Sequence, residues 1–275
     1  MLLDFGSTVS SLNERLWGGE LGYPRRVPRV HVSLVWLNLA RDTEFKVGPI
    51  DHIDPRLDGV LGTDILASAS VTLDYRHRIV WISDGQTFCS DDVLAALGWL
   101  RFDVASFYRG VSYNSKPITA GQRVVLNMPV IPFQIGEVTG QGVLDTGFDD
   151  SRRPGGVIPN EQFIAAIEKS GHILIDSGLP VPFDTCQPSY RPMVRPQRVS
   201  ESMRFSVGQK GALVTSSLRP RMWVLDGQEW DACGGFTAPF KFPAAILGPS
   251  FLEDFGLVVF DAPRSAIWVA KNQSR

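Results

Sequence analysis

Cysteine and histidine are scarce in this chain: three cysteines (Cys89, Cys186, Cys233) and four histidines (His31, His52, His77, His172) in 275 residues. No C-x-x-C and no H-x-x-x-H spacing occurs among them. A metal needs several thiolate or imidazole donors brought to one point, so no metal site is expected. No G-x-S-x-G elbow and no G-x-x-x-x-G-K-[ST] loop is present either, which removes the readiest serine-hydrolase and NTPase readings. Positive charge is not in excess: 27 Lys and Arg stand against 29 Asp and Glu, a net charge of −2. The electrostatic footprint of a nucleic-acid binder is therefore missing, and no nucleic-acid partner is expected. Apolar runs break off well short of a membrane span, so no span is expected. What remains for chemistry is carboxylate, on a chain whose 44% hydrophobic content supports one large domain or two moderate ones.

Short β-type runs dominate, at 30–39, 71–74, 78–82, 122–126, 130–135, 203–207, 221–225, 257–261 and 266–270, punctuated by Gly, Pro, Asp and Asn. Three stretches read as helical: 8–16, then 90–100 with Ser90-Asp91 as its cap, then 159–170 with Pro159 near its first turn and Gly171 after its end. The Pro- and Arg-rich stretch 180–198 has no period and reads as a long surface excursion. The expected class is all-β with a few short helices.

One segment raises a chemical question. In "GVLDTGFDD", residues 142–150, an apolar run delivers Asp145 and stops it with Gly147. Alone, Asp-x-Gly is a turn, since both residues favour turns. It is not alone: "LLDFGST" at 2–8 matches "VLDTGFD" at 143–149, and "GVLGTDILASASVTLDYRHRIVWI" at 59–82 matches "AILGPSFLEDFGLVVFDAPRSAIWV" at 245–269. Each half thus holds an apolar-Asp-x-Gly element, then an apolar-apolar-Gly element, a short apolar turn of helix, and a strand ending in aspartate (Asp74, Asp261). An ordered pair of matches is a repeat rather than a coincidence. The halves divide as 1–100 and 101–275, the second carrying an insertion around 159–200.

In these segments the chain resembles the two lobes of a pepsin-like aspartic peptidase. The first half, with its short interval from Asp-x-Gly to Leu-Gly, is similar to retropepsin-like units, and "DTGFDD" resembles the retroviral Asp-Thr-Gly-Ala-Asp-Asp run. The resemblance implies a two-lobed β-barrel architecture with a pseudo-twofold repeat. It implies an endopeptidase in which Asp4 and Asp145 share a proton and activate a water, acting on a peptide or protein substrate without a cofactor. Gly6, Ser7, Thr8, Thr146 and Gly147 would support the two loops. Asp149 and Asp150 would either receive main-chain donors of the substrate or form a solvated turn paired with Arg152 or Arg153. Tyr23 would sit in a short flap or in an ordinary exposed loop. Cys186 and Cys233 fall in the order of the pair bridged in pepsin-like C-terminal lobes; the alternative is two reduced thiols, and a bridge would point to an oxidising compartment.

Phe5 departs from the pattern, standing where the family has Thr or Ser and losing one half of a hydroxyl brace between the loops; Thr146 retains the other half. The second reading that follows is a catalytically inactive pepsin-like protein that binds a peptide or inhibits another enzyme. Asp4 has three residues before it where Asp145 has the β-rich approach 123–144, so the native reading frame is expected to extend upstream.

Overall fold

The computed structural model describes residues 1–17, 29–34, 40–50, 54–84, 88–102, 104, 128–148, 150–151, 153–172, 175–176, 179–183, 193–194, 196–207, 212–225 and 241–270. Among these the molecule is mostly β-sheet with four short helices. Tyr23, Asp149, Cys186, Cys233, the strand expected at 122–126 and the second part of that expected at 30–39 lie outside the described residues.

The strands form where side chains alternate. In Met203–Val207, residues 203, 205 and 207 are buried and the two between them are half-buried, the period of a strand with one face on the core. Ala266–Val269 and Ala244–Leu247 are buried at every position, as strands covered on both faces must be. A five-stranded sheet is drawn from the first half of the chain, and a larger fourteen-stranded sheet combines strands of both halves.

Each repeated element takes the same form twice. Leu2–Leu3 lies parallel to Gly59–Leu61, and Asp4 N donates to Leu61 O at 2.9 Å as the chain leaves the strand. Val138–Leu144 lies parallel to Ala244–Leu247, and Asp145 N donates to Leu247 O at 3.0 Å. The short helices Thr63–Leu66 and Ser250–Phe255 follow the two Leu-Gly strands. Two hairpins come next, Ala69–Asp74 with Ile79–Asp84 and Leu257–Asp261 with Ala266–Val269. Both turn through a left-handed residue at the equivalent place, Arg78 (φ 57°) and Ser265 (φ 51°). Asp74 and Asp261 hold those turns: Asp74 accepts from His77 N at 3.0 Å and meets His77 Nδ1 at 2.7 Å, and Asp261 pairs with Arg264 Nε at 2.5 Å. The inner strands of the hairpins then pair with each other, antiparallel, in the register Asp74↔Leu257, Thr72↔Val259, Ser70↔Asp261.

One continuous apolar cluster runs behind these elements and takes Phe5, Leu61 and Leu66 from the first half with Leu144, Leu247 and Phe260 from the second. Burying side chains of this size stabilises by about 1.5–3 kcal/mol each, before the chain entropy that opposes it.

Local structure differs from the sequence expectation in three places. The stretch 8–16 is the strand Ser11–Asn13 followed by a 3₁₀ turn, Glu14–Trp17, because Ser11 and Leu12 pair with Val60 and Gly59 on one side and Lys46 and Val47 on the other. A sheet position offered on both edges outweighs a weak helical period. The helix expected over 90–100 covers Asp91–Ala96, capped by Ser90, whose hydroxyl accepts from Val93 N, and it ends before Gly98 at φ 78°. The excursion at 180–198 contains strands: Val181–Pro182 pairs with Met193–Val194, and Pro196–Arg198 joins Arg221–Trp223 in the large sheet. The third helix is Glu161–Lys169, with Asn160 capping Phe163 N and Gly171 beyond its end at φ 81°.

Candidate active site

Each Asp-x-Gly segment leaves its strand as a tight turn that folds the carboxylate back over its own backbone. Asp4 Oδ1 accepts from Gly6 N at 2.7 Å. Asp145 Oδ1 accepts from Gly147 N at 2.8 Å and from Phe148 N at 3.1 Å. The two turns meet. A Cβ at Gly6 would stand 2.2 Å from Asp145 Cγ, and one at Gly147 would stand 2.5 Å from Asp4 Oδ2. Each glycine therefore lies against the carboxylate of the other segment, at a distance no side chain tolerates. The carboxyl groups are close enough that each shifts the ionisation of the other.

A second link crosses the same junction. Thr146 Oγ1 accepts from Phe5 N at 2.9 Å and donates to Leu3 O at 2.8 Å, so one hydroxyl clamps the backbone on both sides of Asp4. Phe5 makes no such return contact with a hydroxyl of its own. Its ring is fully buried and stacks on Phe260 at 3.9 Å between centroids, 11° from parallel. Apolar packing stands at the position where the motif has a hydroxyl.

Both carboxyls are driven toward the protonated state. Burial raises Asp4 from the ordinary 3.8, opposed by the Gly6 amide, by the neighbouring Asp145 carboxyl and by further backbone donors. Burial raises Asp145 well above 3.8, and the negative charge of Asp4 adds to it, against the Gly147 and Phe148 amides. Two carboxylates in contact cannot both ionise cheaply, so the pair retains one proton to a pH well above the usual carboxylate range.

Behind the turns sit two clamps that the sequence reading did not anticipate. Ser10 Oγ donates to Asp64 Oδ1 at 2.6 Å and accepts from Gly62 N at 2.9 Å, while Ser10 N donates to Asp64 Oδ2 at 2.8 Å. Ser250 Oγ donates to Asp150 Oδ2 and accepts from Gly155 N at 2.8 Å, while Ser250 N donates to Asp150 Oδ1 at 3.3 Å. The two clamps have opposite polarity. In the first the serine follows the Asp-x-Gly turn and the carboxylate opens the helix; in the second these places are exchanged. A signal for them was available, since both Gly62-Thr63-Asp64 and Gly248-Pro249-Ser250 put a polar residue two places after the repeated glycine.

Asp150 consequently differs from either expectation for it. It is 2% exposed and is occupied by Gly156 N at 2.9 Å as well as by Ser250, so it faces neither substrate nor solvent. Ser7 turns its hydroxyl to Val9 O at 2.9 Å rather than to a carboxylate, and Thr8 lies half-buried in the same loop. Among the described residues no group of three or more His, Cys, Asp or Glu side chains converges as a metal site would require. No helix among them is long and apolar enough to cross a membrane.

No protein-family model matches the chain, and no curated protein matches it. Its chemistry is read from the site itself.

Proposed function

We propose that this chain is an aspartic-type endopeptidase built as two pepsin-like lobes related by an approximate twofold. The observation that carries the reading is the mutual contact of the Asp4 and Asp145 turns, each glycine against the other's carboxylate. The central strand register supports it too. Asp74 faces Leu257 as Ser70 faces Asp261, and these two pairs exchange when one repeat is laid on the other, as twofold-related strands require.

In this mechanism the pair holds one proton. Its ionised member takes a proton from a water as the water oxygen attacks the scissile carbonyl carbon, and its protonated member donates to the carbonyl oxygen. The resulting tetrahedral diol collapses as the protonated member donates to the amide nitrogen, the ionised member takes a proton from a diol hydroxyl and the C–N bond breaks, releasing amine and carboxylic acid and leaving the pair again with a single proton. Backbone amides of residues 6, 147 and 148 hold the carboxylates in place, so little reorganisation accompanies the transfer.

The second reading, an inactive peptide-binding relative, draws on the missing hydroxyl at Phe5. Against it, the buried Phe5 ring and the double contact of Thr146 keep the loops joined without that hydroxyl. Incubation with an unfolded protein substrate over a pH series tests the proposal. Cleavage on the acid side that a statine-type peptide abolishes is the expected result. Binding of that peptide with no cleavage at any pH would favour the inactive relative.

A further inference from the structure

A second site lies on the large sheet, built from arginines. Arg198 in the strand Pro196–Arg198 stands directly opposite Arg221 in Arg221–Trp223. Like charges placed opposite one another across two strands repel, and guanidinium groups cannot relieve the repulsion by losing a proton. Arg153 is close enough to Arg221 to add to the effect: burial, then Arg198, then Arg153 lower the Arg221 pKa. Arg219 is two residues away, and Arg198, Arg219 and Arg221 line one open cavity of about 650 Å³ together with Ser200 and Ser217. Arg153 and Arg221 are half-buried and the other two are exposed. Arg153 Nη1 is buried and has no hydrogen-bond partner. Among the described residues no ion pair joins any of the four to a carboxylate. The concentration is local, since the whole chain carries a net charge of −2.

We propose that Arg198, Arg219 and Arg221, with Arg153 adding to their field, form a binding site for an oxyanion, phosphate or carboxylate, seated in the cavity that the first three line. Paired guanidinium forks suit either group, since both present two oxygens at the spacing of two N–H donors. The bound anion supplies the negative charge that the opposed strands lack. The inference does not rest on the Asp4–Asp145 chemistry.

Calorimetric titration of the full chain with inorganic phosphate, and separately with succinate, decides the matter, with sodium chloride holding ionic strength constant so that general screening cancels. The expected result is saturable binding of one or both anions at one site; the better binder identifies the source as phosphate or carboxylate. Arg198→Gln with Arg219→Gln should weaken it at least about tenfold, the loss of one to two charge-assisted hydrogen bonds. Asp145→Asn should bind the anion as the wild type does. In anion-free buffer Arg198→Gln alone should melt at or above the wild-type temperature, because it removes the repulsion, whereas an arginine serving only the fold would melt lower when removed. Absence of saturable binding by both anions, or equal binding by wild type and the double variant, overturns the proposal.

Discussion

Asp4 and Asp145 are costly residues for the fold, and that cost is measurable apart from any catalysis. Their pKa values are raised in the folded protein above the ordinary 3.8. Between 3.8 and the raised values the native state binds more protons than the unfolded chain, so stability falls as pH climbs through that window and is fully retained below it. Asp4→Asn removes one of the two like charges. It should raise the melting temperature relative to wild type at neutral pH, and the gain should vanish once the pH drops below 3.8. Peptide hydrolysis should fall by on the order of 10³-fold in both Asp4→Asn and Asp145→Asn, since a base without its acid is no dyad. Melting curves at several pH values, read beside turnover, check both claims. A melting difference that ignores pH would contradict the shared proton, and substantial cleavage by Asp4→Asn would contradict the pairing of Asp4 with Asp145. Asp74→Asn and Asp261→Asn serve as controls, because those carboxylates hold hairpin turns and should change melting more than turnover.

At the scale of elements, the exchanged clamps explain how two unlike sequences reach one local shape. Each must tie the strand after an Asp-x-Gly turn to the start of a short helix, and one carboxylate with one hydroxyl accomplishes this whichever side supplies which. Asp150→Ser alone should destabilise by about 1–3 kcal/mol by leaving Gly156 N without its acceptor. Ser250→Asp alone should be worse, because it buries two carboxylates against each other. The double exchange, which copies the polarity of the first clamp, should recover part of the loss, with a coupling energy of about 0.5–3 kcal/mol in a double-mutant cycle. Chemical denaturation of the four proteins measures it, and simple additivity would refute the equivalence of the clamps.

These elements also mark the limit of what the sequence discloses. The alternation in Met203–Val207 and the paired "LLDFGST" and "VLDTGFD" segments are legible because strand period and repetition are local signals. The clamps leave only a partial signal, the polar residue two places after each repeated glycine, because serine and aspartate beside glycine read as turn residues whether or not they meet a partner 54 or 100 residues away. Asp150 was legible as a carboxylate near the site, but its inward direction depends on Ser250. The stretch 8–16 has apolar residues at helical spacing, and its strand becomes evident only when both flanking strands are in place. Phe5 is the instructive case. Judged against a motif it is a missing hydroxyl; judged by its surroundings it is a core residue, and the ring that receives it, Phe260, is 255 residues away in the chain but adjacent in space.

That contact operates at the scale of the whole molecule, since it joins the turn carrying Asp4 to the central strand of the other half. Phe260 lies in Leu257–Asp261, paired on one side with Ala69–Asp74 and on the other with Ala266–Val269, so its ring is fixed by three strands. Phe5 sits between Asp4 and Gly6, so any freedom at its ring becomes freedom at the carboxylate. Phe260→Ala should therefore cost about 3–5 kcal/mol through the cavity it leaves, and should also depress turnover well below the melting temperature, where the protein is still folded. Phe5→Thr restores the hydroxyl of the motif and empties the same space, so it should lose stability of similar size and gain no activity. A comparable core truncation distant from the turns, Phe163→Ala in the helix Glu161–Lys169, should be equally destabilising but should leave turnover per folded molecule near wild type. The decisive measurement is kcat at a temperature where unfolding curves show all three variants fully native. If Phe260→Ala and Phe163→Ala then have the same kcat, the Phe5–Phe260 stack is core alone; if Phe5→Thr exceeds wild type, the hydroxyl brace mattered more to this chain than the packing that stands in its place.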